Sequence, residues 1–202
     1  MEPTSKLTLS PEELELVSDS RWILTKQAII GKVYGIFGGL AERYQAIGAA
    51  HTLPADVLRM TPKIARGENY RQLPYVMLDY PRCFDGDDVF AIRTLFWWGN
   101  FFSLTLQLSG EYKKMHQLKL CHAFESLKEA GYYLCTGKDP WEHHFGEDNY
   151  RLVKEFSSEQ FAAYVTGSTF VKLALRFPLP GWNEIPGRLE KNFYAMVELV
   201  GS

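Results

Sequence analysis

The chain has 202 residues, 46% hydrophobic and 23% charged, with a formal net charge of -2, which is the composition of a globular protein with material for a substantial core. That charge offers no general attraction for nucleic acid or anionic membranes, and the longest apolar run, residues 33–41, falls well short of the roughly 20 residues that span a bilayer, so neither partner is expected. Cys83, Cys121 and Cys135 are odd in number and contain no CxxC, which argues against a disulfide framework or a zinc ribbon; with no basic segment leading into an apolar one near Met1, a soluble cytoplasmic protein is expected.

In chain order, Ser10 followed by Pro11, Glu12 and Glu13 starts a short helix that runs to about Ser18. Ile30, Val33, Phe37, Leu40, Tyr44 and Ile47 recur three and four apart, predicting a long amphipathic helix from about Trp22 to Ala50. Gly31, Gly35, Gly38 and Gly39 interrupt this pattern, so either a break near Gly38 or the close approach of another backbone is expected; the charges around them favour packing in a soluble fold over a membrane seam. A helical turn follows Pro54, residues 62–72 read as irregular, and Tyr75 to Tyr80 reads as a strand stopped by Pro81.

Residues 88–108 read as a β-hairpin with a two-residue Gly99-Asn100 turn, which pairs 97 with 102, 95 with 104 and 93 with 106. One face then carries Val89, Ala91, Leu95, Trp97, Phe102, Leu104, Leu106 and Leu108 around Arg93. The other carries Phe90, Ile92, Thr94, Phe96 and Trp98 against Phe101, Ser103, Thr105 and Gln107. A second long helix spans about Glu111 to Ala130 and ends at Gly131, Tyr132 to Cys135 forms a short strand, and 137–148 form a polar loop. Tyr150 to Phe156 suits either strand or helix, and Ser157 opens a helix to about Thr166. Alternation from Val171 to Phe177 marks a half-buried strand with Lys172, Ala174 and Arg176 outward, and a final helix from about Ile185 to Leu199 turns Leu189, Phe193, Met196, Val197 and Val200 inward. The pattern predicts one α+β domain over residues 1–202: a mainly antiparallel sheet of about five strands with a central hairpin, covered by long N-terminal, middle and C-terminal helices.

Arg93 on a core-facing strand position needs a partner, which Asp79 on the neighbouring strand supplies, or else it anchors a carboxylate or phosphate in a pocket. Thr94, Ser103, Thr105 and Gln107, rimmed by Phe96, Trp98 and Phe101, have the composition of a small-molecule pocket wall or of an ordinary sheet face. Residues 139–148 gather Glu142, His143, His144, Glu147 and Asp148 around Trp141, which are acid/base and metal-ligand types, but the spacing matches no HExxH or finger pattern and no metal site is assigned. The Asp85-Gly86-Asp87-Asp88 turn lacks the calcium-loop pattern, His116, Cys121 and His122 sit on different helical faces, and GxSxG, GxxxxGK[ST] and GxGxxG are all missing.

The leading expectation is therefore a protein that binds a small organic ligand, either on the aromatic-rimmed polar hairpin face or beside Arg93 and Asp79. A hydrolase-like enzyme using the 139–148 loop is the first alternative. An interaction or homodimerisation module built on Trp97, Trp98 and Phe101 at the hairpin tip is the second. No cofactor is indicated by any motif.

Overall fold

A computed structural model describes residues 7–201. Helix α1 (Pro11–Ser18) begins in a capping box, the Ser10 hydroxyl accepting from Glu13 N while the Glu13 carboxylate accepts from Ser10 N. Asp19 then caps α2 (Ser20–Ala49), in which Ile30, Val33, Phe37, Leu40 and Tyr44 form the buried stripe. The expected break does not occur, nor does the close approach: α2 is continuous, and a Cβ on Gly31, Gly35 or Gly38 would meet nothing within 4 Å. These glycines flank the stripe, whose burial holds the helix together across them.

After α3 (Ala55–Arg59), β1 (Lys63–Tyr70) and β2 (Leu73–Asp85) form a hairpin where an irregular stretch was expected. Its turn is Arg71-Gln72, with φ of 47° and 65°, the two left-handed residues of a type I′ turn made without the usual Asn-Gly signal. Pro81 does not stop β2. It lies in a register shift between Asp79 and Arg82, where the missing N–H is not required by the ladder. The irregularity leaves Asp79 and Arg82, three residues apart, facing the same way.

Strands β3 (Asp88–Trp97) and β4 (Phe101–Ser109) form the expected hairpin in a register one residue away from the expected one. Trp97 pairs with Phe101, Leu95 with Ser103, Arg93 with Thr105 and Ala91 with Gln107. The connection has three residues, because only Gly99 takes a positive φ (71°) while a two-residue type I′ turn would demand the same of Asn100. The one-residue slip sorts the side chains cleanly: Phe90, Ile92, Phe96, Phe102, Leu104, Leu106 and Leu108 share the core face with Thr94, and Arg93 shares the opposite face with Ser103, Thr105 and Gln107.

Next come α4 (Gly110–His122) and α5 (Phe124–Glu129), separated at Ala123 where one helix was expected. Strands β5 (Tyr133–Cys135) and β6 (Tyr150–Leu152) bracket the long loop, and a 3-10 turn, Val153–Glu155, follows β6. Helix α6 (Ser158–Gly167), strand β7 (Phe170–Pro178), a 3-10 stretch over Leu179–Glu184 and helix α7 (Ile185–Val200) complete the chain.

The fold is α+β, with one antiparallel sheet of seven strands in the order β1-β2-β3-β4-β7-β5-β6; β1 and the short β6 extend the five-strand expectation. Helices α2, α4 and α7 pack on one face and bury the main core, with Tyr44 stacked on Phe193 at 3.6 Å between ring centroids. Among the described residues no helix is long and apolar enough to cross a membrane. Among the described residues the opposite face carries no helix. It is covered by the loop that joins β5 to β6.

Candidate functional site

The loop between β5 and β6 is pinched at its base, where Thr136 N and Gly137 N both donate to Asn149 O. Gly137 has no room for a side chain, since a Cβ there would lie 2.6 Å from Asn149 Oδ1. Asn149 is buried, its Nδ2 donating to His144 O at 2.6 Å and its Oδ1 accepting from Cys135 Sγ at 3.3 Å, so one side chain ties both limbs of the loop. The loop then lies flat against the sheet. Phe145 inserts between two small aromatic clusters, stacking on Tyr150 at 4.6 Å and meeting Phe101 edge-on at 5.1 Å.

Register brings the charged groups together beneath it. Lys63, Asp79, Arg93, Thr105 and Ala174 form one row across β1, β2, β3, β4 and β7, and Arg82, Ala91, Gln107 and Lys172 form the row beside it. Arg93 donates to Asp79 through Nε at 2.6 Å and Nη2 at 2.8 Å, a two-pronged pair with side chains only 12% and 9% exposed. Its remaining nitrogen, Nη1, is 3.1 Å from His143 Nε2. Lys172, with no exposed surface, donates from Nζ to Pro140 O at 2.8 Å and Glu142 O at 2.5 Å and lies 3.4 Å from His143 Nδ1.

This geometry sets the protonation of the cluster. Burial, reinforced by the Lys172 and Arg93 charges, holds the pKa of His143 well below its ordinary value, so the imidazole is neutral. A neutral ring has one acceptor nitrogen. The shorter contact assigns it to Nε2, receiving from Arg93, and leaves Nδ1–H facing Lys172. Burial also pulls the Lys172 ammonium down to about 8, with Arg93 adding to the effect. The strand's outward-looking lysine is thus an anchor for the loop, against the half-buried reading of β7, and the missed signal is the loop itself, whose Trp141 and Phe145 are poor residues for a solvated excursion.

The second histidine belongs to a more open group. Tyr70 OH accepts from His143 N at 2.7 Å and His144 N at 3.0 Å and donates to Glu142 Oε2 at 2.9 Å. His144 Nδ1 lies 2.9 Å from Glu142 Oε2 and its Nε2 3.1 Å from Asp148 Oδ1, with Arg71 beside both carboxylate and ring. Burial works against the Glu142 charge, but Tyr70, His144 and Arg71 outweigh it and hold that carboxyl below its usual range. Among the described residues no three His, Cys, Asp or Glu side chains converge as a metal site would require.

The residues singled out by sequence divide accordingly. Arg93, Asp79, Ser103, Thr105 and Gln107 share the loop-covered face, where Ser103, Thr105 and Gln107 are buried. Thr94 faces the helices and lies 3.3 Å from Tyr44 OH, and Trp98 packs 6.2 Å from Trp22, so neither joins the others. The continuous polar strip Thr94–Ser103–Thr105–Gln107 does not exist, because it rested on the two-residue turn. The exposed aromatic tip is also overturned: Trp97 and Phe101 are 7% and 6% exposed beneath Tyr70 and Phe145.

Clefts open to solvent at the edges of the loop, one of about 510 Å³ bordered by Gln107, Lys138, Pro140 and Trp141, and one of about 280 Å³ where β1, β2 and β3 meet the loop, which contains Arg93 and Asp79. In the smaller cleft Lys63, Arg82 and Arg93 supply three cations against the single carboxylate of Asp79, and Phe84 and Trp141, 6.0 Å apart, form an aromatic wall. Trp141 also covers the Arg93 guanidinium at 5.9 Å. Arg82 is steadied by its Nε donating to Thr61 O at 3.2 Å, while among the described residues Lys63 makes no ion pair. Lys63 and Arg82 escaped notice in the sequence because each belonged to a segment read as irregular or as lying beyond the end of a strand.

Comparisons of the chain with protein-family models, with curated proteins and with solved structures each find no match.

Proposed function

We propose that the protein binds a small organic anion in the cleft beside Arg93. The observation that carries this reading is the charge imbalance of the cleft: Asp79 is already consumed by Arg93, so Lys63 and Arg82 leave a net positive site against the exposed faces of Phe84 and Trp141. A planar ring bearing a carboxylate or phosphate matches that combination, its charge between Lys63 and Arg82 and its ring on the aromatic wall. Arg93 acts as a wall of the site rather than as its primary anchor.

Thermal unfolding in the presence of phenyl phosphate, benzoate and inorganic phosphate tests the reading, since a ligand that binds only the folded chain raises Tm with concentration. Phenyl phosphate or benzoate is expected to raise Tm, and Lys63→Ala/Arg82→Ala to abolish the rise while Lys138→Ala leaves it intact. No shift with either aromatic anion, or a shift that survives the double substitution, removes the proposal.

The enzymatic alternative gains the convergence it needs, because the 139–148 loop folds over the sheet and His143 meets Arg93 at 3.1 Å. It remains the weaker reading. The imidazole is sealed between two cations with both nitrogens facing protein groups, and no substrate atom reaches it from the cleft without displacing the loop.

A further inference from the structure

Gln107 lies on the loop-covered face but has no part in the cleft beside Arg93; it borders the larger one, of about 510 Å³. The residue is only 6% exposed, and among the described residues its amide makes no hydrogen bond. Its neighbours on that face explain why. In the same row Ala91 offers no polar side-chain atom, and the Lys172 ammonium is taken up by Pro140 O and Glu142 O. Two residues away along β4, the Ser109 hydroxyl donates to Asp87 O and the Thr105 hydroxyl is engaged with Tyr150. A buried amide that the chain leaves unanswered keeps its donor and its acceptor for whatever enters the cleft.

The rest of the lining narrows the class of ligand. Trp141, 49% exposed and shared with the smaller cleft, supplies aromatic surface together with Phe170, and Pro140 and Val89 add apolar contact. The charges balance here, Lys138 standing against Asp87, whereas the smaller cleft has three cations to one carboxylate. The N-terminus of α4 adds no anion site, because Asp88 Oδ1 already accepts from Glu111 N at 2.8 Å. An uncharged ligand is therefore favoured. A glutamine amide presents an N–H beside a C=O, and its complement is the same pair reversed, as on the edge of a lactam or pyrimidinedione ring. We infer that the larger cleft is a second binding site, for an uncharged planar ring whose N–H and C=O pair with the Gln107 amide and whose face lies on Trp141.

A saturation-transfer NMR titration of the full chain with uracil, which carries that edge, tests the inference. Uracil is expected to saturate within about 10 mM, and 1,3-dimethyluracil, which keeps the ring but has no N–H, to bind at least about ten-fold more weakly. Gln107→Leu is expected to weaken uracil binding at least about ten-fold while leaving Tm at or above that of the parent, since an amide with no partner in the chain adds nothing to its stability. Lys63→Ala/Arg82→Ala should leave uracil binding intact, which separates this site from the smaller cleft. Failure of uracil to saturate overturns the inference, as does equal binding of the dimethylated ring. Binding that survives Gln107→Leu, or that is lost with Lys63→Ala/Arg82→Ala, overturns it too, and a lowered Tm for Gln107→Leu would show that the amide serves the fold instead.

Discussion

Removing the carboxylate of Asp79 isolates the best-defined interaction on the loop-covered face. The Arg93–Asp79 pair has two charge-assisted hydrogen bonds of 2.6 and 2.8 Å and little exposed surface on either side chain. Each such bond contributes about 1.5–3 kcal/mol, and breaking a buried pair from one side typically costs about 3–5 kcal/mol because the surviving charge is left without a partner. Here that charge would sit against His143 and near Lys172, yet it borders an open cleft through which water reaches it. The cost should therefore lie at the low end, about 3 kcal/mol for Asp79→Leu, equivalent to a fall in Tm of about 6–12 °C for a chain of this size. Arg93→Met should cost a similar amount. The double variant should lie within about 1 kcal/mol of the parent, because an apolar pair of similar volume replaces two desolvated charges. Urea denaturation of all four proteins measures the coupling. Additive single costs, or a single cost below about 1 kcal/mol as expected of an exposed pair, would refute the buried-pair argument.

His143 is held neutral in the folded chain and regains a pKa near 6.5 on unfolding, so below that pH the unfolded state takes up the proton first and stability falls as pH drops. Tm measured between about pH 4 and 7 should decline less steeply for His143→Gln than for the parent; identical slopes would show that another group dominates. Lys172 gives the opposite window: with a folded pKa of about 8 against an ordinary 10.5, stability should rise from about pH 8 towards 10.5, a rise that Lys172→Met eliminates. The same substitution strips Pro140 O and Glu142 O of their donor, so limited proteolysis should cut within 138–148 faster while far-ultraviolet circular dichroism stays unchanged. Gly35→Ala should stabilise the chain by about 0.8–1 kcal/mol, since it sits exposed within α2 with open space around a new Cβ; destabilisation in thermal melts would reveal an unseen close contact.

The helices and the α+β class were legible in the sequence because their signals are local. Ser10 and Glu13, Ser157 and Gln160, and the apolar spacing in α2 and α7 depend on residues within a few positions of one another, and each forms as expected. The partner of Arg93 was legible for the same kind of reason, as Asp79 lies on the adjacent strand. The site as a whole was not. Whether Gly99-Asn100 forms a two- or three-residue connection depends on the φ of Asn100, and that one angle exchanges the two faces of β3 relative to β4, parting Thr94 from Ser103, Thr105 and Gln107. Strand β1 was hidden by a type I′ turn made from Arg71 and Gln72, and the end of β2 by a proline at a register shift, so Lys63 and Arg82 had no assigned position. Lys172 illustrates the deeper limit. Alternation along a strand identifies two faces but cannot show that a loop more than 20 residues upstream returns to cover the polar one, since that burial is decided by which distant surfaces meet. By itself the sequence determined the elements whose hydrogen bonds and apolar periods close within a turn or two; the register, the covering of the second face and the gathering of Arg93, His143 and Lys172 came only with tertiary structure, because they rest on contacts between segments remote along the chain.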